Sequence, residues 1–335
     1  MSKNSRKWLF RALVLAALAL LPQVIQARYF LHLMVMAGIF TILTLSWNLL
    51  AGYTGLLNLG HAAFYGIGAY TSSLLAIMLG ISPWIGLFAG GLVAAFFGFL
   101  LGFPALRLSG PYLAITTIGF AEILRMVAIN WVDLTRGSLG LSGIPLLTPI
   151  RLGALNIKFY FERDYYYVVL AAVLVTLFCV RRLTQSEFGV SLQALRDDEP
   201  GAQSIGINTA RYKIAVFTIS AFFAGFAGAL FAHFIRLVSP EMMALHTTFD
   251  TLTMAMIGGL GTMAGPILGA VVITFLSEWL RYVEDLFKVD IRFVIYGLML
   301  ILTILFMREG IVGLLRGLAN KLGSSRLGGK KESEP

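Results

Sequence analysis

Charged side chains are scarce in this sequence, and their scarcity excludes an ordinary soluble domain. Asp, Glu, Lys and Arg make up 13% of the 335 residues, and 58% of the residues are apolar; a soluble domain has about 25% charged residues. A span through the hydrocarbon core of a bilayer needs about 20 apolar residues, so ten spans would use about 200. The remaining loops are too short for a sizeable soluble domain. The sequence therefore predicts an all-α polytopic membrane protein.

Several motifs that carry chemistry are also missing. The sequence contains neither the G-x-x-x-x-G-K-[ST] phosphate loop nor the H-E-x-x-H and G-x-S-x-G motifs, which argues against an ATPase and against an intramembrane enzyme. Cys179 is the only cysteine, so an internal disulfide is excluded. The four histidines have no metal-like spacing, and we expect no metal site and no cofactor. Residues 259–264 fit a loose dinucleotide fingerprint, but the βαβ unit that this motif requires is absent.

Ten apolar runs predict ten spans, at about 8–27, 29–50, 61–80, 83–103, 111–130, 165–180, 213–235, 248–262, 263–281 and 291–307. With both termini cytoplasmic, 16 of the 26 Lys and Arg fall in inner segments and nine in outer segments, as the positive-inside rule requires. A cleavable signal peptide is the alternative for the first run. Small residues four apart, such as Gly225 and Ala229, predict close packing between spans. We expect a transmembrane domain over 1–310 and a cytoplasmic tail over 311–335.

Two glycine-rich breaks interrupt the apolar runs, at residues 51–61 and 258–266. Polar backbone that faces lipid costs several kcal/mol per group, so we expect both breaks to face protein or water. Discontinuous helices of this kind are typical of a transport pathway. A pair of tight cytoplasmic turns is the alternative.

The fifth span carries Glu122 and Arg125 near its middle. Each could cost about 3 kcal/mol of insertion free energy, so this span would insert only marginally alone. Thr116, Thr117 and Gly119 lie near Glu122 on a helix, which predicts a polar strip that faces the bundle interior. The alternative is a buried Glu122–Arg125 pair that only fixes helix packing.

The longest inner loop, residues 181–213, is too short for a domain and too patterned for a linker. Apolar residues flank a turn at residues 200–201, namely Leu192, Leu195, Ala202, Ile205 and Ile207. They predict short helices whose apolar side chains dock into a groove of another protein. A solvated connector is the alternative.

Four stretches of the chain resemble the inner-membrane permeases of branched-chain amino acid ABC importers, the LivM-like group. They read LSWNLLAGYTGLLNLGHAAFYGIGAY (45–70), GPYLAITTIGFAEILRMVAINW (110–131), EFGVSLQALRDDEPGAQSIGINTARYKIAVFTISAFFAGFAGAL (187–230) and GGLGTMAGPILGA (258–270). The resemblance implies a permease domain of the type II importer architecture in a bacterial or archaeal inner membrane. It implies about ten helices, helix breaks and a cytoplasmic coupling helix in the 181–213 loop. The chain departs from the family pattern at Arg136, where glycine is usual, and at Pro200 in the coupling segment.

The resemblance also implies partners and residue roles. The partners are a LivH-like sister permease, two ATP-binding subunits and a periplasmic or lipid-anchored substrate-binding protein, in contact with membrane lipid and without nucleic acid. The chain itself would be a transport subunit and not an enzyme. Residues that would face the ATPase are Leu195, Arg196, Asp197, Asp198, Glu199, Ala202, Gly206 and Ile207. The translocation path would include Asn48, Asn58, His61, Thr116, Thr117 and Glu122, with the segment 133–145 at the outer mouth.

The function implied in this way is ATP-driven uptake of branched-chain or related small amino acids by alternating access. Urea, short amides and aromatic acids are alternative substrates. An ion-coupled secondary transporter is the alternative mechanism, for which Glu122, Asp250 and Glu278 are the few candidate ion-binding groups. We expect Glu199→Arg to uncouple transport while the protein stays inserted.

Overall fold

The computed structural model describes residues 13, 16–25, 27–105, 107–152, 155–157, 159–287, 292–306 and 310–315. Most of the predicted tail over 311–335 and most of the segment that resembles a signal peptide lie outside these residues. Residues 16–24 are helical. The helices that follow are α1 (Arg28–Thr54), α2 (His61–Met78), α3 (Pro83–Ala105), α4 (Gly110–Asn130), α5 (Val132–Thr135), α6 (Glu162–Thr184), α7 (Glu187–Asp197), α8 (Glu199–Ser204), α9 (Thr209–Ile235), α10 (Leu245–Gly258), α11 (Gly265–Phe287) and α12 (Arg292–Phe306).

Five helices in the described part of the chain are long and apolar enough to cross a membrane, namely α1, α3, α4, α6 and α9. The shorter α2, α10 and α12 and the amphipathic α11 coincide with the other predicted runs after residue 28. The eighth run differs most from its prediction. Helix α10 has 14 residues and is about 21 Å long, which is less than the roughly 30 Å hydrocarbon core. It is therefore too short to cross the bilayer alone.

The centre of the bundle is a tight packing of α2, α3 and α9. A Cβ atom at Gly68 would overlap the backbone of Gly225, and one at Gly228 would overlap the carbonyl oxygen of Tyr65. A Cβ at Gly90 would lie 2.6 Å from the Gly68 carbonyl oxygen. These helices approach so closely because glycine leaves no side chain between them. The close packing predicted from the small residues around 225 is confirmed.

The bundle has two distinct ends. At one end, β1 (Leu141–Ser142) pairs antiparallel with β4 (Leu237–Val238), and β2 (Ile150–Leu152) pairs antiparallel with β3 (Leu155–Ile157). We call this the strand end, and it contains the predicted outer mouth. At the other end, α7 and α8 connect α6 to α9. We call this the coupling end.

Arg136 lies at a position whose backbone conformation favours glycine. Arg136 follows α5 with φ of 60°, in the left-handed region. Glycine adopts this region without steric cost, whereas other L-residues are strained there. A glycine, which the resemblance leads us to expect at this position, would fit this conformation better than arginine does.

Candidate functional site

The first break runs back into the bundle from the coupling end. Helix α1 ends at Thr54, eight residues or about 12 Å beyond Ser46. Yet the first residue of α2, His61, has its Nε2 atom 2.8 Å from Ser46 Oγ, and Trp47 Nε1 donates to the Asn58 carbonyl at 2.8 Å. Residues 55–60 therefore pass alongside the last turns of α1, and α2 begins inside the bundle.

Buried side chains satisfy the non-helical backbone of this first break. The Leu59 N–H donates to Thr117 Oγ1 at 3.0 Å, and the Gly60 N–H donates to Asn58 Oδ1 at 2.9 Å. Asn58 Nδ2 and His61 Nδ1 lie 3.4 Å apart. Asn58, His61 and Thr117 are fully buried. These three residues, all predicted to line the translocation path, hold the first break in place. Their polar groups are therefore already hydrogen-bonded within this chain.

The second break is held against α1 by one side chain. Gly259 and Gly261 have positive φ angles of 124° and 69°, which release the chain from α10. The Asn48 side chain then donates from Nδ2 to the Thr262 carbonyl at 3.0 Å and accepts at Oδ1 from the Gly261 N–H at 2.9 Å. Asn48 is fully buried. Its amide replaces two hydrogen bonds that a continuous helix would make internally.

Helix α7 contacts the end of α1 close to both breaks. Arg196 Nη1 donates to the Gly52 carbonyl at 2.6 Å, in the last turn of α1. Gly52 also packs against the second break, since a Cβ there would lie 2.6 Å from the Gly261 nitrogen. We call Asn48, Gly52, Arg196, Gly261 and Thr262 the break junction. It joins the coupling segment to both helix breaks.

The coupling segment is less available to a partner than its sequence predicts. Leu192, Leu195 and Ala202 are buried within this chain, so of the residues predicted to face an ATPase, Leu195 and Ala202 have little surface outside the chain's own packing. Ile205 is 75% exposed and Val190 66%. The exposed members of the predicted set are Arg196, Asp197, Asp198 and Gly206, with Ile207 and Glu199 half-buried.

The proline in the coupling segment fits the local structure. Pro200 lies in the first turn of α8, directly after Glu199. A backbone N–H is not needed for helix bonding at this position, and the fixed φ of proline favours helix initiation. Pro200 therefore starts a second short helix without distorting the first.

Glu199 has a role that sequence reasoning missed. Its Oε1 atom lies 2.6 Å from the Nζ atom of Lys213 in the first turns of α9, and the Lys213 side chain is only 3% exposed. A buried ammonium group needs a compensating charge. Glu199 supplies that charge, so it stabilises the connection between α8 and α9.

The polar strip on α4 is divided between two faces. Thr117 faces the interior, Thr116 is half-buried with its hydroxyl donating to the Tyr112 carbonyl, and Gly119 is exposed. Glu122 accepts hydrogen bonds from Arg125 at 2.6 and 2.9 Å. The Glu122 side chain is 47% exposed. The prediction of an inward strip is therefore wrong for Glu122, and the alternative of a pair is correct except that the pair is not buried.

Replacing Asn48 by alanine is expected to loosen the second break. The change leaves the Gly261 N–H and the Thr262 carbonyl without their partner. An unsatisfied buried group costs about 1–3 kcal/mol, so we expect the free energy of unfolding to fall by about 2–4 kcal/mol. The measurement is thermal unfolding of the purified chain in mild detergent. Asn130→Ala is the matched control, because the exposed Asn130 amide donates to the Met126 carbonyl within its own helix. Equal shifts in the two variants would contradict the role of Asn48 at the second break.

Comparison with known proteins places residues 29–304 in a family described as branched-chain amino acid transport system / permease component. Over 264 residues the chain is 40% identical to the high-affinity branched-chain amino acid transport system permease protein LivM of Salmonella typhimurium, an alignment that covers 73% of this chain and 62% of that protein. The protein of the same name from Escherichia coli K12 is 40% identical over 261 residues, covering 72% and 61%.

A more distant relative is similar over a larger share of both sequences. The probable branched-chain amino acid transport permease protein LivM of Methanocaldococcus jannaschii is 22% identical over 322 residues, which cover 82% of this chain and 90% of that protein. The matched region spans about three fifths of the length of the two bacterial relatives. No solved structure matches the chain significantly.

Proposed function

The chain belongs to the family of permease components of branched-chain amino acid transport systems, and on that basis we propose that it is the permease subunit of an ATP-driven importer. The cargo is a branched-chain or related small amino acid, and the membrane is a bacterial or archaeal inner membrane. The family match over residues 29–304 carries this proposal. Urea and short amides are the alternative cargoes.

The proposed orientation places the coupling end in the cytoplasm and the strand end outside. The Lys and Arg distribution supports it, because basic residues concentrate in the segments that this orientation puts inside. All ten apolar segments then enter the membrane, α10 as a helix shorter than the hydrocarbon core, and both termini are cytoplasmic.

A sister permease is proposed to cover the outward face of α4. Glu122 is half-exposed in the middle of this helix, and a carboxylate at that depth is unfavourable against lipid alone. The half-buried Thr116 lies on the same helix. A second permease on this face would enclose Glu122 and Thr116 at a boundary between two proteins, where a path for cargo can stay hydrated. The wall of this path would then be supported from the interior of the chain by the buried residues Asn48, Asn58, His61 and Thr117.

Two ATP-binding subunits are proposed to act on the coupling segment. Ile205, Val190 and the exposed Asp197 offer an apolar and acidic surface at the coupling end. Movement of α7 would be transmitted through Arg196 to the end of α1 and, by way of Gly52 and Asn48, to the second break. A substrate-binding protein would deliver cargo at the strand end.

The test of this function is co-purification followed by transport. The tagged full chain is extracted from its native membrane in mild detergent, and the proteins that come with it are identified by mass. We expect a second permease and two ATP-binding subunits, and ATP-dependent uptake of labelled leucine after reconstitution into vesicles. A chain that purifies alone while a control importer stays assembled would overturn the proposal, as would uptake that needs a proton gradient and no ATP.

Replacing Arg196 by alanine is expected to disconnect transport from ATP hydrolysis. The variant loses the hydrogen bond from α7 to the Gly52 carbonyl, so we expect ATP-driven uptake to fall at least tenfold while hydrolysis by the assembled complex persists. Arg211→Ala is the control, because Arg211 is an exposed arginine at the start of α9 near the same end. Uptake by Arg196→Ala within twofold of the Arg211→Ala value would contradict the proposed transmission.

A further inference from the structure

A cavity of about 700 Å³ lies between α1, α2, α9, α10, α11 and α12, away from the break junction. This volume is in the range of small-molecule sites. None of the six residues predicted along the translocation path lines it. Its chemistry is therefore separate from the site described above.

Helix α10, which forms one wall, begins inside the bundle. His233 near the end of α9 lies 2.8 Å from Ser72, and the Thr248 hydroxyl in α10 accepts from the Ala62 N–H at 3.1 Å. Ser72 and Ala62 are ten residues, or about 15 Å, apart along α2. The chain between α9 and α10 therefore runs inward along α2 from the strand end before α10 starts.

The start of α10 has no side-chain cap. The residue before it is Ala244, whose side chain cannot accept a hydrogen bond, and the first turn contains no acidic residue. The N–H groups of a first helical turn and the helix dipole favour an anion at such a terminus. His246 and Thr247 of this turn line the cavity.

Two buried hydroxyl groups point to an occupant. Tyr65 on α2 and Thr274 on α11 line the cavity and are 2% and 7% exposed. Neither hydroxyl has a hydrogen-bond partner within the part of the chain that the structure describes. Buried polar groups are normally satisfied, so a molecule with polar atoms in this cavity would supply what the protein does not.

The charges of the wall favour an ammonium group. Among the residues that the structure describes, three carboxylates, of Glu241, Asp250 and Glu278, line the cavity with one guanidinium, of Arg281. Arg281 Nη1 lies 3.2 Å from Glu278 Oε2, and His246 Nδ1 lies 3.5 Å from Glu241 Oε1. The acidic groups outnumber the permanent cation, so the wall attracts a positive charge.

Another part of the wall is apolar. Met36 and Phe40 of α1 face this space together with Met254 of α10 and Ile273 of α11. These side chains have no polar groups to offer and suit an aliphatic chain. A ligand that matches these three parts of the wall thus carries an ammonium group, a carboxylate and an apolar side chain.

We propose that this cavity binds one free amino acid with an aliphatic side chain within a single permease chain. The ammonium group lies toward Asp250, the carboxylate toward the start of α10, and the side chain against Met36 and Phe40. The inference deepens the proposed function, because such a molecule would be the cargo of the importer. It adds a holding site inside the subunit, at a distance from the α4 face.

The test measures binding of labelled leucine to the full chain with its co-purifying subunits in lipid nanodiscs, without nucleotide or binding protein. We expect saturable binding that Asp250→Asn and Tyr65→Phe each weaken at least fivefold. Tyr70→Phe is the matched control: Tyr70 is also a buried tyrosine of α2 whose hydroxyl has no hydrogen-bond partner among the described residues, but it is not in the wall of this cavity. We expect the Tyr70→Phe variant to bind leucine as tightly as the wild type does. Leucinamide and 4-methylpentanoate, which lack the carboxylate and the ammonium group, should compete at least tenfold more weakly than leucine.

Two results would overturn the inference. One is the absence of saturable leucine binding by a monodisperse wild-type assembly, including the case in which a retained phospholipid occupies the cavity. The other is binding that Asp250→Asn and Tyr65→Phe leave unchanged, which would place the amino acid elsewhere. Either result leaves ATP-driven uptake by the same assembly to be measured separately, so failure of the cavity site and failure of the proposed function are distinguishable.

Discussion

Glu199→Arg is expected to lower the free energy of unfolding by about 3–5 kcal/mol. The Lys213 ammonium group is buried and has Glu199 as its ion-pair partner at 2.6 Å. Removing one partner of a buried pair typically costs about this much, because the other charge is left uncompensated; a second positive charge adds repulsion. The sequence alone suggested that this variant would stay intact and only lose coupling. The structure instead predicts a folding defect, visible as a lower thermal midpoint in mild detergent.

Two further variants separate the ion pair from a general effect of charge. Asp197→Arg makes the same change of charge at an exposed position of the same segment, and surface changes of this kind usually stay within about 0.5 kcal/mol. The exchanged pair Glu199→Arg with Lys213→Glu is expected to recover part of the loss. Equal thermal midpoints for Glu199→Arg and Asp197→Arg would show that the pair contributes little.

Gly228→Val is expected to disrupt the centre of the bundle. A Cβ atom at this position would overlap the Tyr65 carbonyl oxygen, so α2 and α9 must separate to accept any side chain. Overpacking in a well-packed core costs about 1–3 kcal/mol and occasionally more. We expect a loss at or above the upper end of this range, since the obstructing atom is backbone and cannot change rotamer. The measurement is the monodisperse fraction in size-exclusion chromatography together with the thermal midpoint.

The matched control is Gly297→Val on α12, where an added Cβ meets no atom of the described residues within 4 Å. Both substitutions exchange the same residues in a helix, so their intrinsic helix propensities cancel. Gly228→Ala should fall between wild type and Gly228→Val. If Gly228→Val and Gly297→Val have the same thermal midpoint, the close approach of α2 and α9 does not limit stability.

The order of the helices was predictable because apolar runs and their lengths are local properties of the sequence. All the predicted runs after residue 28 overlap helices, and both glycine-rich breaks interrupt helices where expected. The short α10 was harder to recognise, because the 248–262 run continues into the break and reads as apolar throughout. Its true end depends on the positive φ of Gly259.

The roles of individual polar residues were much less predictable. Asn48 satisfies backbone groups 213 and 214 residues away, and no local pattern indicates such a partner. From the sequence, Glu199 is predicted to face a partner protein. In the structure it pairs with Lys213, whose side chain is buried. The one available signal was that Lys213 begins an otherwise apolar span, where an unpaired ammonium group would be unfavourable.

The first break also constrains how the chain can be inserted by the translocation machinery. The backbone N–H of Leu59 is satisfied by Thr117, which lies 58 residues later in the chain. A nascent chain that has delivered only α1 and α2 to the membrane therefore has an open polar segment between them. That segment must wait in the insertion channel, or in water at its cytoplasmic mouth, until α4 has been synthesised. The early helices of this protein are thus expected to leave the translocon as a group. The second break forms later still, because Asn48 must wait for its partners Gly261 and Thr262 to be synthesised.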